Sequence, residues 1–509
     1  MLDGIRCGAD IGYTGPRDKP QLCRNLRSAA EHADAVRADI KNEVSLGRTA
    51  GPFASLPQPN LRCSPVGAVA KKDSNEYRRI HHLSWPRSGG SVNDDIVDSE
   101  VHYCRFDDAV TMMRRLGRGA LFAKLDIKSA FRCVPVRPED RHLLGFVWEG
   151  EYYADLVLPF GLRSSPGIWE RYSSSAEWIL RNEYGVKHVI HFVDYFLFGG
   201  RASTADCELS VRTALLVFEA LGLPVNVKKL KLEGSPSANI VFLGILLDSN
   251  AMTASLDAQR LQQLRDLLES WAKRRSCMPH ELQSLVGKLV FAARVVQPGR
   301  TFLRRMLDTL RAAPSHSRRI RLSKDFRADL EWWRQFLPRW NGVSVLLEEE
   351  WARGPDMQLY TDASALHGYG AYYCGHWFSM RWSEEEKSTA ARVRSLSMPW
   401  CELYAVVRAA ATWGDKWSGK RILFHCDNET VVQSVAAGWC RDAPMMHLIR
   451  TMHFIAAEHG FMFRIVHVAG TDNCVADALS RAQLDRFRLL RPEADRSPTI
   501  PLPLPIPRF

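Results

Sequence analysis

The chain alternates between two hydrophobic rhythms. Between residues 256 and 340, Leu261, Leu264, Leu268 and Trp271 recur at helical spacing, as do Leu282, Leu285 and Leu289, and as do Phe326, Leu330, Trp333 and Leu337. Each set lays an apolar stripe along one face of a helix, so this stretch predicts a packed helical region. From Ser64 to about Asp248, short β-branched and aromatic runs alternate with helical ones, which argues an α+β fold. Beyond a linker expected at Gly342–Pro355, strand-like runs at Met357–Thr361, Gly368–Tyr373, Arg421–Cys426 and Phe461–Val468 surround helical ones and predict a mixed sheet. Residues 1–60 mix a polar helical stretch, Asn25–Asn42, with loops rich in Gly and Pro. At the other end, the alternating prolines of Ser497–Pro507 exclude helix and ladder, so the segment should run extended, as a linker, a disordered tail or a docking ligand. The expected divisions are therefore 1–60, 61–250, 251–345, 350–482 and 483–509.

Composition changes this picture in three places. With 509 residues, 46% of them hydrophobic, the chain is too long for one core. Its longest apolar runs, such as Val241–Leu247, fall far short of the roughly 18 residues that cross a bilayer, and no basic-then-apolar leader is visible. A soluble protein of the cytoplasm or nucleus, with no membrane partner, is the expectation. The 12 cysteines are scattered singly without zinc spacing, as expected of buried thiols in a reducing compartment. The net charge is +11, and residues 251–320 hold 13 Lys/Arg against 5 Asp/Glu, with Arg304, Arg305 and Arg311 on one helical segment. Either a polyanion partner or a solvated basic face explains this excess.

Asp126 closes the apolar run Leu121–Asp126, and Asp194 lies within a second, His191–Phe198. Nucleotidyl transfer needs two divalent cations held by carboxylates a few ångströms apart, and these two could bridge such ions if their strands pair. The surrounding residues resemble reverse transcriptases. Phe131 lies where that family keeps an aromatic that blocks the ribose 2′-hydroxyl, and Leu158-Pro-Phe-Gly-Leu-Arg-Ser-Ser-Pro166, with Phe160 and Gly161, resembles its template- and nucleotide-contacting turn. Lys71-Lys-Asp-Ser-Asn-Glu-Tyr-Arg78 is similar to the fingers hairpin, which implies that Lys71 and Arg78 grip the triphosphate. Lys229 matches a later lysine, a proton donor to pyrophosphate, and Phe242–Asp248 matches the hairpin that holds the primer end. The resemblance spans about residues 50–482. The wording of Gly51-Pro-Phe53, Ser64-Pro-Val-Gly67, Arg79–Pro86, Ser91-Val-Asn-Asp94, Gly287–Ala292 and Gln297–Arg304 is similar to the DIRS group of retrotransposons, which carry a tyrosine recombinase elsewhere in their polyprotein. Two positions depart from the family pattern: His82 and Tyr195 both stand where relatives carry an acidic residue. A neutral phenol is a poor ligand for a hard cation, so the departure at 195 implies a large loss of polymerase rate.

Four further carboxylates recur in strand and helix contexts: Asp362 in Leu359-Tyr-Thr-Asp-Ala-Ser364, Glu402 in Trp400–Ala405, Asp427 in Phe424–Asn428 and Asp477 in Asn473–Arg481. Each alone reads as a cap or turn. Their order and flanking residues resemble the RNase H family, which implies one two-magnesium site for phosphodiester hydrolysis. His467 reads as structural, and Asn473 as a residue that orients Asp477 from behind.

The resemblance thus implies a right-hand polymerase of fingers, palm and helical thumb with connection, followed by an RNase H-like domain. The implied partners are an RNA template, a DNA primer, RNA/DNA hybrid, dNTPs and further domains of a longer polyprotein, with Mg2+ (or Mn2+) bound by all six acids. The alternative is a non-catalytic nucleic-acid-binding protein derived from a retroelement.

Overall fold

The computed structural model describes residues 2–70, 76–97, 100–313, 318–338, 343–344, 358–384, 386–387, 397–418 and 420–504. Lys71 and most of the expected linker lie outside them. The chain forms two compact units, Met1–Met252 and Thr253–Phe509, so the helical region, the mixed sheet and the C-terminal segment share the second.

The first unit is assembled from small sheets. Strands β1 (Thr49–Phe53), β5 (Gly145–Trp148) and β6 (Glu151–Asp155) form one in the order β1-β6-β5, while β2 (Val66–Ala70) and β3 (Tyr77–His81) pair only with each other. The sheet that matters most joins β4 (Leu121–Asp126), β8 (Tyr195–Gly200) and β7 (Val189–Phe192), all antiparallel. Its inner face buries Ala123, Leu125, Phe196 and Phe198 against the helices Ser165–Asn182 and Asp206–Ala220, which contribute Trp169 and Phe218. Alternation along β4 leaves Lys124 on the other face. A further hairpin, β9 (Asn239–Phe242) with β10 (Ile245–Asp248), closes the unit.

In the second unit every residue of the three predicted stripes, from Leu261 to Leu337, is buried. The helices start where side chains satisfy free amides: Asp257 accepts from the Arg260 amide and Ser323 from the Phe326 amide. Two short strands, β11 (Thr253–Leu256) and β14 (Val343–Ser344), pair beside them, as do β12 (Ser276–Cys277) and β13 (Ile320–Arg321). A five-stranded mixed sheet follows, in the order β17 (His376–Arg381), β16 (Gly368–Tyr373), β15 (Gln358–Ser364), β18 (Arg421–Cys426), β19 (Met462–His467). The β15–β18 and β18–β19 pairs are parallel and the others antiparallel. The almost wholly buried helix Met398–Trp413 packs on this sheet. No helix among the described residues is long and apolar enough to cross a membrane.

The described part of the proline-rich segment, residues 497–504, runs extended without helix or ladder, but it is not free. The Thr499 amide donates to Trp377 O at 2.7 Å, Arg408 donates to Pro501 O, and the Leu502 amide donates to Thr412 Oγ1. Residues past 482 thus cover one edge of the sheet and part of the helix Met398–Trp413.

One glycine sets the geometry of the second unit. Gly370 sits opposite Asp362 in the β15–β16 register, and a Cβ there would meet Leu479 Cβ at 2.5 Å. Its bare backbone lets the helix Cys474–Ser480 lie directly on the strand pair. Gly370→Ala should therefore destabilise this unit by about 1–3 kcal/mol, the usual cost of overpacking. Urea titration measures this, and an unchanged midpoint would show that the helix can retreat freely.

Candidate active sites

In the first unit, backbone pairing decides which residues meet. Asp126, the last residue of β4, pairs across the sheet with Tyr195, the first of β8. Asp194 occupies the two-residue turn between β7 and β8, where its carbonyl accepts from the Ile127 amide at 2.9 Å. The other turn residue, Val193, has a left-handed backbone (φ 56°), and its carbonyl accepts from the Trp169 indole at 2.7 Å. Asp126 is buried and Asp194 half-buried. Desolvation first, and the charge of Asp126 second, push the Asp194 carboxyl up to about 6.

Lys229 lies in this cluster. Its ammonium donates to Asp126 Oδ2 at 2.7 Å and to the Tyr195 hydroxyl at 2.6 Å, 4.5 Å from the tyrosine ring centre. Asn226 Nδ2 donates to the other Asp126 oxygen at 3.0 Å while its own carbonyl oxygen caps the short helix carrying Lys229. Against the desolvation of its site, the bonds to Asp126 and Tyr195 hold the lysine above its usual pKa, and burial raises the Tyr195 phenol. The group at 195 is therefore a neutral hydroxyl near neutral pH, and both oxygens of Asp126 are engaged by the protein itself.

Next to Asp194 lies a cavity of about 270 Å³ lined by Arg78, Phe131, Phe160 and Val193 among others. The Arg78 guanidinium lies 4.4 Å over the Phe160 ring, and Phe131 meets the same ring at 5.5 Å. Gly161, at φ 110°, is required by space, because a Cβ would fall 1.9 Å from His81 O. Asn93 clasps this turn, donating to Gly161 O and accepting from the Arg163 amide, both at 2.8 Å. Sequence reasoning did not single out Asn93 or Asn226 as site residues, although Asn93 lies inside a quoted motif. Burial, then the charges of Arg87 and His81, lower the His82 pKa, so that ring is neutral near neutral pH.

In the second unit, Asp362 on β15, Glu402 on the helix Met398–Trp413, and Asp427 just past β18 meet at one end of the sheet. Atoms of Glu402, Cys426 and Asp427 lie within 4.8 Å of one another. Glu402 Oε1 accepts from the Ala363 amide at 3.2 Å, and its other oxygen is buried without a hydrogen-bond donor. Ser480 donates to Asp362 at 2.5 Å. Burial, followed by the mutual repulsion of the acids, raises both Asp362 and Glu402, and Asp427 and Asp477 both add to the rise at Asp362. Asp477 itself is held the other way: despite desolvation, Arg481 at 2.6 Å and Arg486 at 2.8 Å keep it below the usual range. The donor set fits a hard divalent cation: clustered oxygens, an orphaned carboxylate oxygen and repulsion that a cation would relieve. Burial raises the Cys426 thiol far above its usual value, so it offers no thiolate. Asn473 does not reach Asp477 with its side chain, as the sequence reading had it; its amide donates to Thr361 O at 3.0 Å and so ties the last helix to β15. His467 is exposed at the end of β19.

Each arginine expected to form a basic face has an acidic neighbour, although Arg311 stays largely exposed. Arg304 pairs with Asp308 at 3.2 Å and stacks 4.4 Å over Trp439, Arg305 pairs with the buried Asp329 at 3.5 Å, and Arg311 pairs with Asp308 at 3.6 Å. Asp308 lies within four residues of Arg304 and Arg311, whereas Asp329 lies on another helix from Arg305.

Residues 69–247 match the family described as reverse transcriptase (RNA-dependent DNA polymerase), so the chain carries a reverse transcriptase domain. It is 23% identical over 397 residues to the enzymatic polyprotein of carnation etched ring virus, covering 75% of this chain and 54% of that protein. It is also 23% identical over 390 residues to the retrovirus-related Pol polyprotein from transposon gypsy of Drosophila melanogaster, covering 74% of this chain and 34% of that one. The chain therefore spans about half, or less, of the length of these relatives. A solved structure of a foamy viral protease-reverse transcriptase in complex with double-stranded DNA superposes with a TM-score of 0.53 at 14% identity, covering 89% of this chain and 72% of that one. The fold is thus polymerase-like, α+β, with a mixed-sheet domain towards the C-terminus.

Beneath the Val193–Asp194 turn, His191 donates to Glu177 at 2.5 Å and to Glu170 at 3.1 Å. Although desolvation lowers it, these two carboxylates raise the imidazole to about 9. Its contribution to stability is complete below the unfolded value near 6.5 and is lost as pH rises through about 9. Urea midpoints for the native chain should fall between pH 6.5 and 9.5 more steeply than those of His191→Gln; parallel curves would contradict this.

Proposed function

We propose that the chain is a retroelement RNA-directed DNA polymerase with ribonuclease H, of the DIRS group, whose polymerase centre is impaired and whose nuclease centre is intact. The observation that carries this reading is the contrast between its two acidic clusters. In the nuclease cluster Glu402 and Asp427 lie close together, burial and repulsion raise Asp362 and Glu402, and Asp477 adds its charge to Asp362 from beside two arginines. In the polymerase cluster Asp126 is neutralised by Lys229, and position 195 offers a phenol in place of a carboxylate.

Substrates follow from the same residues. Arg78 and Lys71 would take the triphosphate of a dNTP, Phe131 and Phe160 would bracket its sugar and base, and Gly161 would let the turn approach them. Lys229 would have to leave Asp126 before it could protonate pyrophosphate. Magnesium, or manganese, would be held by Asp126 and Asp194 in one unit and by Asp362, Glu402, Asp427 and Asp477 in the other. When bound it supplies charge neutralisation at the reacting phosphate. RNA template, DNA primer and RNA/DNA hybrid are the proposed polymers, and the polyprotein relatives support further domains.

A second reading rests on the Lys229–Asp126 bridge: a protein that binds nucleic acid without turning it over. Magnesium-dependent cleavage of hybrid by the full chain would exclude it, whereas tight binding with no cleavage would favour it.

Two measurements test the main reading. Tyr195→Asp should raise primer extension by roughly 10²–10³-fold, the equivalent of several kcal/mol of charge stabilisation; strong native extension unchanged by this substitution would mean that another group completes the site. Asp427→Asn should reduce hybrid cleavage by about a hundredfold or more at unchanged metal-free stability, since it relieves repulsion among the acids. Cleavage that survives Asp427→Asn would move the nuclease centre elsewhere.

A further inference from the structure

A buried carboxylate outside both acidic clusters connects two residues of the nucleotide cavity. Asp155, the last residue of β6, is fully buried. Its Oδ1 accepts from Thr49 Oγ1 at 2.9 Å, from Arg132 at 2.8 Å and from Arg79 at 3.4 Å, and its Oδ2 lies 3.4 Å from His81 Nδ1. Both arginines are buried in turn and complete their pairing outward: Arg132 with Glu43 at 2.7 Å and Arg79 with Asp39 at 2.8 Å.

Chain neighbours give this cluster its meaning. Arg132 follows Phe131, and Arg79 follows Arg78. In each pair the first side chain lies over the cavity ring of Phe160 and the second turns inward to Asp155. On β3 this is the ordinary alternation of a strand. The β2–β3 hairpin shares no ladder with the sheet that carries Asp155. Side chains join it to that sheet in three ways: an apolar cluster of Val66 and Ala68 with Phe146, Trp148 and Tyr153, the His81 ring to Gly145 O at 3.0 Å, and this ion cluster. Buried ion pairs of this kind contribute little stability beyond an apolar replacement, and in some proteins they serve instead to fix one geometry.

We propose that Asp155 is a positioning residue for nucleotide selection, holding Phe131 and Arg78 at a fixed separation through Arg132 and Arg79. The proposal rests on the polymerase reading. Phe131 can exclude a ribose 2′-hydroxyl only if the triphosphate is anchored at a set distance from it. A cavity whose two walls share one anchor discriminates by shape, and one whose walls move independently does not.

The test is equilibrium titration of the full chain, on a primer-template in magnesium, with fluorescent dATP and ATP, alongside urea unfolding. The native chain should prefer the deoxynucleotide. Asp155→Asn, and the double variant Asp155→Leu with Arg132→Met, should lose that preference on the order of ten- to a hundredfold, the scale of an ångström-sized misplacement. Affinity for the primer-template should not change. The double variant guards against misfolding, since it removes both charges of the closest pair together. A folded variant that keeps the native preference overturns the proposal, and a double variant that cannot fold reduces the cluster to a folding element and overturns it too. A native chain that binds primer-template but neither nucleotide overturns the polymerase reading, and the proposal falls with it for that separate reason.

Discussion

The antiparallel register of β4 against β8 is the constraint on which the first unit depends. It pairs Asp126 with Tyr195 and places Asp194 in the turn beside them. A slip of one residue would exchange the inward Phe196 and Phe198 for outward positions, so the hydrophobic core and the site specify the same register. The tyrosine at 195 is therefore held directly across from Asp126. Its hydroxyl finds the ammonium that already balances Asp126, which leaves a closed, neutral group of three.

Three ways of burying acids can be compared within one chain. Against full burial, Arg132 and Arg79 hold Asp155 well below the carboxylate range, so it stays ionised inside the protein. Asp126 is matched by a lysine and an asparagine. Asp362 and Glu402 face one another and Asp427, their nearest help a serine hydroxyl and a main-chain amide, and their carboxyls rise. Compensated acids hold structure together, while uncompensated ones leave a charge deficit that an external cation can fill.

What the sequence disclosed follows the range of each interaction. Helical stripes such as Leu261–Trp271 were readable because their partners lie within one turn, and the metal-type carboxylates were readable because their flanking residues form recurrent phrases. Asp155, Arg132 and Arg79 gave no such signal: each is an isolated charge on a short element, and they meet only when three segments more than 20 residues apart fold together. For the same reason the sequence carried no sign that Arg305 pairs with Asp329, which lies on another helix. The prolines of the C-terminal segment correctly excluded regular structure, yet they carried no information about the Trp377 and Thr412 groups that receive it.

Val193 shows how the site trades comfort for accuracy. A β-branched residue in the left-handed region costs on the order of 1–3 kcal/mol, and the indole of Trp169 fastens its carbonyl in that state. A glycine would adopt the turn without effort, but it would also visit many others. The valine has few alternatives, so the aspartate after it inherits a narrow set of directions. Drift in this gene toward a more relaxed tip would thus be a gain in folding and a loss in aim, and selection for stability alone would erode the turn first.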